Sequence, residues 1–423
     1  VQTCALPISL DFQRCIENHS GLNLDSFFDM WFRSKGYPIL KASFEYDKKK
    51  GLGKFTFEQT QVDKKKGIEL FEMDLEIGWQ DTRGGDHVDT VHLTKGTQII
   101  NIKMDEPAHI LLDPNMKALF EAEFNPGDDK LRHLLENGKT VRGLMQAMSE
   151  LAKTGKRKNL QAIREYLKQE KRWGLRIHAF RVLGSVGNAY AYAHLAELLS
   201  AETDPMVIEE AARACGNHRN DAMRDSILSK LKAKDLPYRG EMALLESLGK
   251  QRNAEDTPLL TAYTKKDGWR NLVRAGAFLG LAANRSEAAL EALLDGIEVP
   301  VHFYDEKLAR VLALSSMKEW MAPHLQKQIT QAICAATEDP SYPVQITAAR
   351  GLGAVKENAG IPFLVALQSR LAVQDHPLVK RQLQAIQASS DGTETKKLQK
   401  QLDELTEKLG GLEKRLQEVE SEK

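Results

Sequence analysis

Residues 173–184, WGLRIHAFRVLG, contain a pattern that returns along most of the chain. A small residue is followed four positions later by a leucine-like residue and then by glycine, as at Ala179, Leu183 and Gly184. Residues four positions apart share one face of a helix, and glycine suits the position just past a helix end. The stretch therefore predicts one helix of a repeating helical unit.

The two anchor positions recur eight times, with glycine directly after them in five copies, and successive copies are 31–38 residues apart. Self-similarity at this period is typical of helical-repeat proteins, in which each helix pair buries its apolar face only by stacking on its neighbours. The repeats resemble HEAT repeats over about residues 130–388, although the Arg310 and Gln382 copies lack the small residue. The anchor pairs are Ala147/Leu151, Ala179/Leu183, Ala211/Cys215, Leu244/Leu248, Ala275/Leu279, Arg310/Leu314, Ala348/Leu352 and Gln382/Ile386.

Length and charge limit the classes of function. A chain of 423 residues that is 42% hydrophobic is too long for one ordinary domain, so two to four units are expected. Because 59 basic residues balance 59 acidic ones, no global field favours nucleic acid. We therefore expect no nucleic-acid partner. Neither a membrane span nor a signal peptide is visible in the sequence, so we also expect no membrane insertion. The compartment stays open between the cytoplasm and the periplasm or exterior.

Residues 1–38 contain two segments of different origin. The first nine residues, VQTCALPIS, resemble the translation of a sequencing adapter and are expected to be an artefact, with a short natural leader as the alternative. Residues 10–38 read as two helices. The predicted apolar faces are Phe12, Cys15, Ile16 and His19 on the first helix, and Phe27, Phe28, Trp31 and Phe32 on the second. Helices this short cannot bury such faces themselves, so a further body is expected to cover them.

Between residues 39 and 124 the period changes from helical to alternating. Phe71, Met73, Leu75, Ile77 and Trp79 recur at every second position, as expected for half-buried strands. The segments between them are charged and rich in glycine. We therefore predict an antiparallel β-sandwich over residues 39–124. Its lysine runs at 48–50 and 64–66 are expected to be solvated hairpin turns.

The tail, residues 390–423, shows a third period. Its apolar residues step alternately by four and three, which is the spacing of a coiled-coil seam. The seam is short, so self-association of the chain through 398–419 and a single solvated helix both stay open. The seam residues are Leu398, Leu402, Leu405, Leu409, Leu412, Leu416 and Val419.

No cluster of residues in the sequence has the spacing of a metal site. The cysteines are scattered, and no Cys-x-x-Cys motif occurs. His87 and His92 are five residues apart in an alternating segment, so their side chains are expected on opposite faces of a strand, near Asp86 and Asp89. Zinc needs three or four converging ligands, so surface polar residues are the better interpretation.

The stretch at residues 27–40, FFDMWFRSKGYPIL, resembles the end of the thermolysin-like catalytic domain in zinc aminopeptidases of the aminopeptidase N family. Trp31, Gly36, Tyr37 and Pro38 are the residues that match the family's junction motif. Ser34 departs from it, since the family often has glutamine there. In that family a β-sandwich and then a helical domain follow, which is the order predicted here.

The resemblance also implies where the chemistry lies. The family binds catalytic zinc through an H-E-x-x-H helix upstream of this junction, with the glutamate activating the zinc-bound water. None of the 11 histidines here begins that motif. We therefore assign no catalytic residue and no metal ligand to this chain, leave its substrate-binding residues unassigned, and expect zinc only in a longer parent protein.

Together these features predict an α+β multidomain chain: a helical stub, an antiparallel sandwich, an α-α HEAT-like solenoid with an ARM-type superhelix, and a coiled-coil tail. The expected divisions are 1–9, 10–38, 39–124, 125–389 and 390–423. The expected function is that of the non-catalytic C-terminal portion of a zinc aminopeptidase that acts on peptides. Its partners would be the missing N-terminal catalytic domain and the peptide substrate, and the solenoid would wall the active-site cavity. The alternative is a HEAT-repeat scaffold for protein partners without peptidase activity.

Overall fold

The computed structural model of this protein describes residues 9–233, 235–295 and 304–390. The chain divides into two compact units, Val1–Ala191 and Tyr192–Lys423. The predicted coiled coil at 398–419 and all but the last of the predicted adapter-derived residues lie outside the described residues. The domain boundaries expected from the sequence stay predictions.

The first unit contains short helices, seven strands and then the first longer helices. No described helix combines the length and the apolar character that crossing a bilayer requires. The elements are α1 (Ser9–Ser20), α2 (Asp25–Phe28), a π-helix (Asp29–Arg33), β1 (Ile39–Asp47), β2 (Leu52–Gln59), β3 (Met73–Asp81), β4 (Asp86–Leu93), β5 (Thr97–Lys103), β6 (Pro107–Leu112), β7 (Glu121–Phe124), α3 (Asp128–Asn137), α4 (Val141–Lys153), α5 (Arg157–Gln169), α6 (Trp173–Gly184) and the start of α7 (Ala189–Ala201).

The strands form two sheets, in the orders β5-β2-β1-β7 and β4-β3-β6. The predicted strands are confirmed. On β1, buried residues alternate with exposed ones from Leu40 to Ser43, whereas β3 is buried on both faces from Leu75 to Trp79. One pairing differs from the antiparallel expectation, because β7 pairs with β1 in parallel. The chain leaves β6 in one sheet and enters β7 in the other, where β7 runs in the same direction as β1.

The lysine runs lie in the turns, as predicted. Lys48 pairs with Glu106 at 2.9 Å, and Lys66 approaches Asp63 at 3.4 Å. These side chains are exposed, and ion pairs at exposed sites contribute little to stability. The runs are therefore solvated turn residues with carboxylate neighbours.

The second unit is helical throughout its described part. Short 3₁₀ turns separate several of its helices. The helices are α8 (Pro205–Gly216), α9 (Asp221–Leu231), α10 (Tyr238–Lys250), α11 (Thr257–Tyr263), α12 (Leu272–Asn284), α13 (Glu287–Leu294), α14 (Tyr304–Met317), α15 (Pro323–Ala336), α16 (Tyr342–Val355), α17 (Ile361–Arg370) and α18 (His376–Ser390).

The repeat anchors lie on every second helix, from α4 to α18. Within the second unit, α8, α10, α12, α14, α16 and α18 pack in succession, and the intervening helices pack beside them. Leu244 and Leu248 on α10 and Ala348 and Leu352 on α16 are fully or almost fully buried. The predicted helical repeat is therefore confirmed, and most of the positions that define the period are buried in its core.

Glycines let α10 and α12 approach at backbone distance. A Cβ at Gly276 would lie 2.6 Å from the Cα of Met242, and one at Gly280 would lie 2.5 Å from the carbonyl oxygen of Leu245. Gly249 faces the carbonyl of Gly280 just as closely. Because backbone atoms cannot move aside as flexible side chains do, these glycines are required by packing and not by a turn.

We expect Gly280→Ala to destabilise the second unit by about 2 kcal/mol, since overpacking against backbone outweighs the higher helix propensity of alanine. The matched control is Gly174→Ala on α6, where nothing lies within 4 Å of the new Cβ. That change should be neutral or stabilising by up to about 1 kcal/mol. Urea unfolding measures both variants, with hydrogen exchange followed at the α10 and α12 amides for Gly280→Ala and at the α6 amides for Gly174→Ala. Equal stability of the two variants would contradict the close-packing account.

Candidate functional site: an exposed aromatic face beside the sandwich

The first helices of the chain carry an aromatic cluster that is only partly covered. Phe28 is buried, its ring stacks on Phe32 with centroids 4.6 Å apart, and Phe12 meets it edge-on at 6.0 Å. Yet Phe12 and Phe32 are each 53% exposed and Phe27 is 48% exposed. These three residues, called the aromatic face below, leave apolar rings open to solvent in the described chain.

A buried polar side chain ties these helices together. The amide nitrogen of Gln13 donates to Glu17 at 3.1 Å and to Asp25 at 2.7 Å, and its oxygen accepts from Arg33 at 2.7 Å. Gln13 is the residue that α1 buries, whereas Phe12 and Cys15 of its predicted apolar face are exposed. The sequence pattern did not single out Gln13, because its partners come from three different turns.

Trp31 and Gly36 join the helical segment to the sandwich. The Trp31 ring lies 5.1 Å from that of Phe71 and packs against the sandwich core. Gly36 has φ of 87°, a left-handed conformation that glycine adopts at least cost, and a Cβ there would lie 3.1 Å from Ile68. The chain can therefore turn sharply between the π-helix and β1.

Tyr37 and Pro38 connect the same junction to β7. The Tyr37 hydroxyl donates to the Glu121 carboxylate at 3.2 Å, and the carbonyl of buried Pro38 accepts from the Glu121 backbone N–H at 3.0 Å. Of the four motif residues, three thus contact the sandwich and Gly36 permits the turn between them. Their role in this structure is to position the helical segment against the strands.

His87 and His92 do not converge. His87 Nε2 lies 2.9 Å from Asp81 Oδ2 and its ring stacks on Trp79, while His92 Nδ1 lies 2.7 Å from Asp74 on the other face of β4. The His87 contact and the Gly85 backbone N–H lower the pKa of Asp81 to about 2. In the described part of the chain, no group of three or more His, Cys, Asp or Glu residues could hold a metal ion.

A serine and a histidine meet between α4 and α6. His178 Nε2 lies 2.9 Å from Ser149 Oγ and 3.0 Å from the Met145 carbonyl oxygen, and burial lowers the pKa of His178. Catalytic serine–histidine pairs need a third group that orients the imidazole. Among the described residues no carboxylate contacts His178, so the pair serves helix packing.

A histidine pair that the sequence did not reveal joins β6 to α3. His109 Nδ1 lies 3.0 Å from His133 Nδ1, and His109 is only 5% exposed. Since one nitrogen must donate and the other accept, both Nδ1 atoms cannot carry protons at this distance. Burial, followed by the neighbouring His133, lowers the pKa of His109 to about 4. Asp86 opposes this shift and Lys139 adds to it.

The helical region of the chain is similar to a known family of repeats. A family model described as HEAT repeats matches residues 129–216. A search of curated proteins returned no match to this sequence. HEAT repeats are therefore present in this chain, as the periodicity predicted.

Two solved structures are similar to this chain. The first is Legionella pneumophila aminopeptidase A in complex with aspartic acid, with a TM-score of 0.51, 13% identity, and coverage of 89% of this chain and 52% of that enzyme. The second is human deoxyhypusine hydroxylase in complex with glycerol, with a TM-score of 0.28, 14% identity, and coverage of 62% and 96%. The first likeness shows a shared fold, and the chain spans about half the length of that aminopeptidase. The second likeness is too weak to carry an argument.

We expect the first unit to lose stability as the pH falls from about 6.5 to about 4. The imidazole of the unfolded chain takes up a proton near pH 6.5, whereas folded His109 does so only near pH 4, so acid favours unfolding by roughly 2–3 kcal/mol. His109→Gln should flatten this dependence, measured as the urea midpoint at pH 7 and pH 5. The matched control is His92→Gln, an exposed histidine, which should retain the wild-type slope. If the wild type and His109→Gln lost the same stability between pH 7 and pH 5, the histidine pair would be excluded as the cause.

Proposed function

We propose that this chain is the non-catalytic, sandwich-and-repeat portion of a zinc-dependent aminopeptidase, an enzyme that removes residues from peptide N-termini. The observation that carries the proposal is the fold shared with the Legionella aminopeptidase, over 89% of this chain but 52% of that one. The junction motif at Trp31, Gly36, Tyr37 and Pro38 agrees with it, since it lies where the helical segment meets the sandwich.

The zinc chemistry belongs, in this proposal, to a catalytic domain outside the present sequence. The described residues do not fit a zinc centre. His87 contacts the Asp81 carboxylate and His92 contacts that of Asp74, and no group of three or more possible ligands forms around either histidine. H-E-x-x-H is also absent from the 423 residues. No catalytic step is therefore assigned to residues of this chain.

The aromatic face would be where that catalytic domain packs. Phe12, Phe27 and Phe32 are about half exposed although they lie beside a buried ring, Phe28. Covering the open half of each ring would contribute about 2 kcal/mol at about 25 cal/mol per Å². Apolar side chains clustered in this way mark an interaction surface more often than scattered ones do.

The helical repeats would have a supporting role. Stacked helix pairs form extended surfaces that can enclose or hold a partner, and in the proposed enzyme they would wall the cavity and limit it to peptide ends. The match to HEAT repeats at residues 129–216 equally favours the second candidate, a scaffold for protein partners without peptidase activity. The genomic DNA upstream of the Leu10 codon separates the two. An open reading frame with H-E-x-x-H would support the aminopeptidase proposal, and its absence would support the scaffold.

The purified chain with added zinc should hydrolyse no aminoacyl 4-nitroanilide, because none of its described residues forms a metal site. The measurement is the rate of nitroaniline release relative to buffer, with a known zinc aminopeptidase as positive control. Zinc-dependent turnover that survives repurification would overturn the assignment of the chemistry to another domain.

The catalytic domain encoded by the same gene, supplied as a separate polypeptide, should bind this chain through the aromatic face. Phe12→Ser should weaken binding by about tenfold or more, because it leaves apolar surface of the partner uncovered. Calorimetric titration measures the affinity. Trp173→Ser is the matched control, since Trp173 is 55% exposed on α6 and lies outside the aromatic face. If both variants lost the same affinity for the catalytic domain, the docking role of the aromatic face would be wrong.

A further inference from the structure

Three arginines occupy the same place in successive repeats of the second unit. Arg219, Arg252 and Arg285 are each 33 residues apart. Each stands directly before a capping residue whose side chain accepts backbone N–H bonds at the start of the next helix. The capping residues are Asn220, Asn253 and Ser286. The caps hold the three turns in similar positions, so the arginines form a row along one edge.

The three side chains converge on one groove. They line a cavity of about 570 Å³ together with Lys250, Leu279 and Ala283. Arg219 and Arg252 also line an adjoining cavity of about 600 Å³. Volumes of this size suit a small ligand or a short stretch of peptide.

The positive charge of the three arginines is not neutralised by ion pairs in the described ranges, although Lys250 in the same groove pairs with Glu246. Arg219 Nε donates to the backbone carbonyl of Gln251 at 3.2 Å. The Arg285 guanidinium lies 3.5 Å from the ring centroid of Trp320, and that of Arg252 lies 6.0 Å from the same centroid. In the described ranges, none of the three forms an ion pair with a carboxylate. The guanidinium donors are therefore available to an anionic ligand.

Neighbouring cations show that such pairing is common in this unit. Arg224 pairs with Asp256 at 2.7 Å, and Lys250 pairs with Glu246 at 2.7 Å. The groove of about 910 Å³ in the first unit is also internally paired, because Glu170 accepts from both Tyr166 and Arg172. The row of three arginines differs from both in lacking carboxylate partners.

Two of these arginines also have an unfavourable backbone conformation. Arg252 and Arg285 have φ of 55° and 65°, in the left-handed region that costs a residue with a side chain about 1 kcal/mol or more. Burial and the nearby Arg252 also lower the pKa of Arg285, as expected when two cations share one site. Such local costs are typical of positions retained for binding.

We propose that this groove binds an acidic segment of a peptide in extended conformation. A guanidinium matches a carboxylate through two parallel hydrogen bonds. Packed helices lie about 8–10 Å apart, which equals between two and three residues of extended chain at about 3.3 Å each. Carboxylates two or three residues apart would therefore meet successive arginines, while Leu279 and Ala283, which line the groove, contact the side chains between them.

A peptide suits the groove better than nucleic acid. Glu246, which also lines the groove, pairs with Lys250 at 2.7 Å. The apolar Leu279 and Ala283 beside the arginines suit peptide side chains better than a continuous polyphosphate backbone. The chain as a whole carries no net charge, so no wider field would assist a nucleic acid. This inference is independent of the proposed peptidase role, since it needs no catalytic domain.

The test is fluorescence anisotropy with the full chain and a labelled peptide that has glutamate at every third position. The control peptide has glutamine at those positions. The glutamate peptide should bind at least about tenfold more tightly, and its affinity should fall as salt is raised. Equal binding of the two peptides would overturn the proposal. Tighter binding of a single-stranded oligonucleotide of equal charge would assign the groove to nucleic acid and overturn it as well.

Variants locate the binding within the chain. Arg252→Gln and Arg285→Gln should each weaken binding of the glutamate peptide about tenfold. Arg252→Lys should weaken binding less, because the positive charge remains while the two parallel hydrogen-bond donors of the guanidinium are lost. Arg350→Gln is the matched control, because Arg350 is exposed on α16 and does not line the groove. Thermal melts confirm that each variant is folded. Unchanged affinity in both glutamine variants would place the binding elsewhere and end the proposal.

Discussion

Each helix pair in this protein has an apolar face that it cannot bury alone. That constraint requires neighbouring pairs to stack, and it explains why the anchors lie on alternate helices from α4 to α18. It also explains the glycines of α10 and α12, because backbones can approach only where no Cβ intervenes. The repeat is thus a consequence of packing, and the regular positions of the turns at its edge follow from it.

The same constraint has opposite results at two surfaces. In the second unit, regular stacking brings residues at equivalent repeat positions next to one another, so a 33-residue spacing becomes a row of three arginines. In the first unit, α1 and the short helices after it are not stacked on a neighbouring pair within the described residues, where the aromatic face is about half exposed. Periodic packing creates the first surface, and its interruption creates the second. In the proposals made for these two surfaces, binding of a partner would remove a free-energy cost that is already present in the chain.

Much of the fold could be predicted, because alternation and helical period are properties of neighbouring residues. The strands around Leu75 and the helix carrying Ala179 follow directly from such patterns. The parallel pairing of β7 with β1 did not, since the direction of a strand depends on the path of the connection before it. Nor did the burial of Gln13, whose hydrogen bonds reach Asp25 and Arg33 in other turns.

By itself the sequence determined the order of the parts, the helical and alternating periods, the HEAT repeats and the lack of an H-E-x-x-H motif, all of which are local along the chain. The tertiary structure alone decided that His109 meets His133, that Tyr37 reaches Glu121, and that Arg252 and Arg285 share the ring of Trp320. These contacts join residues from different strands, helices and turns. Which of them meet depends on how the elements pack, and no short pattern records that.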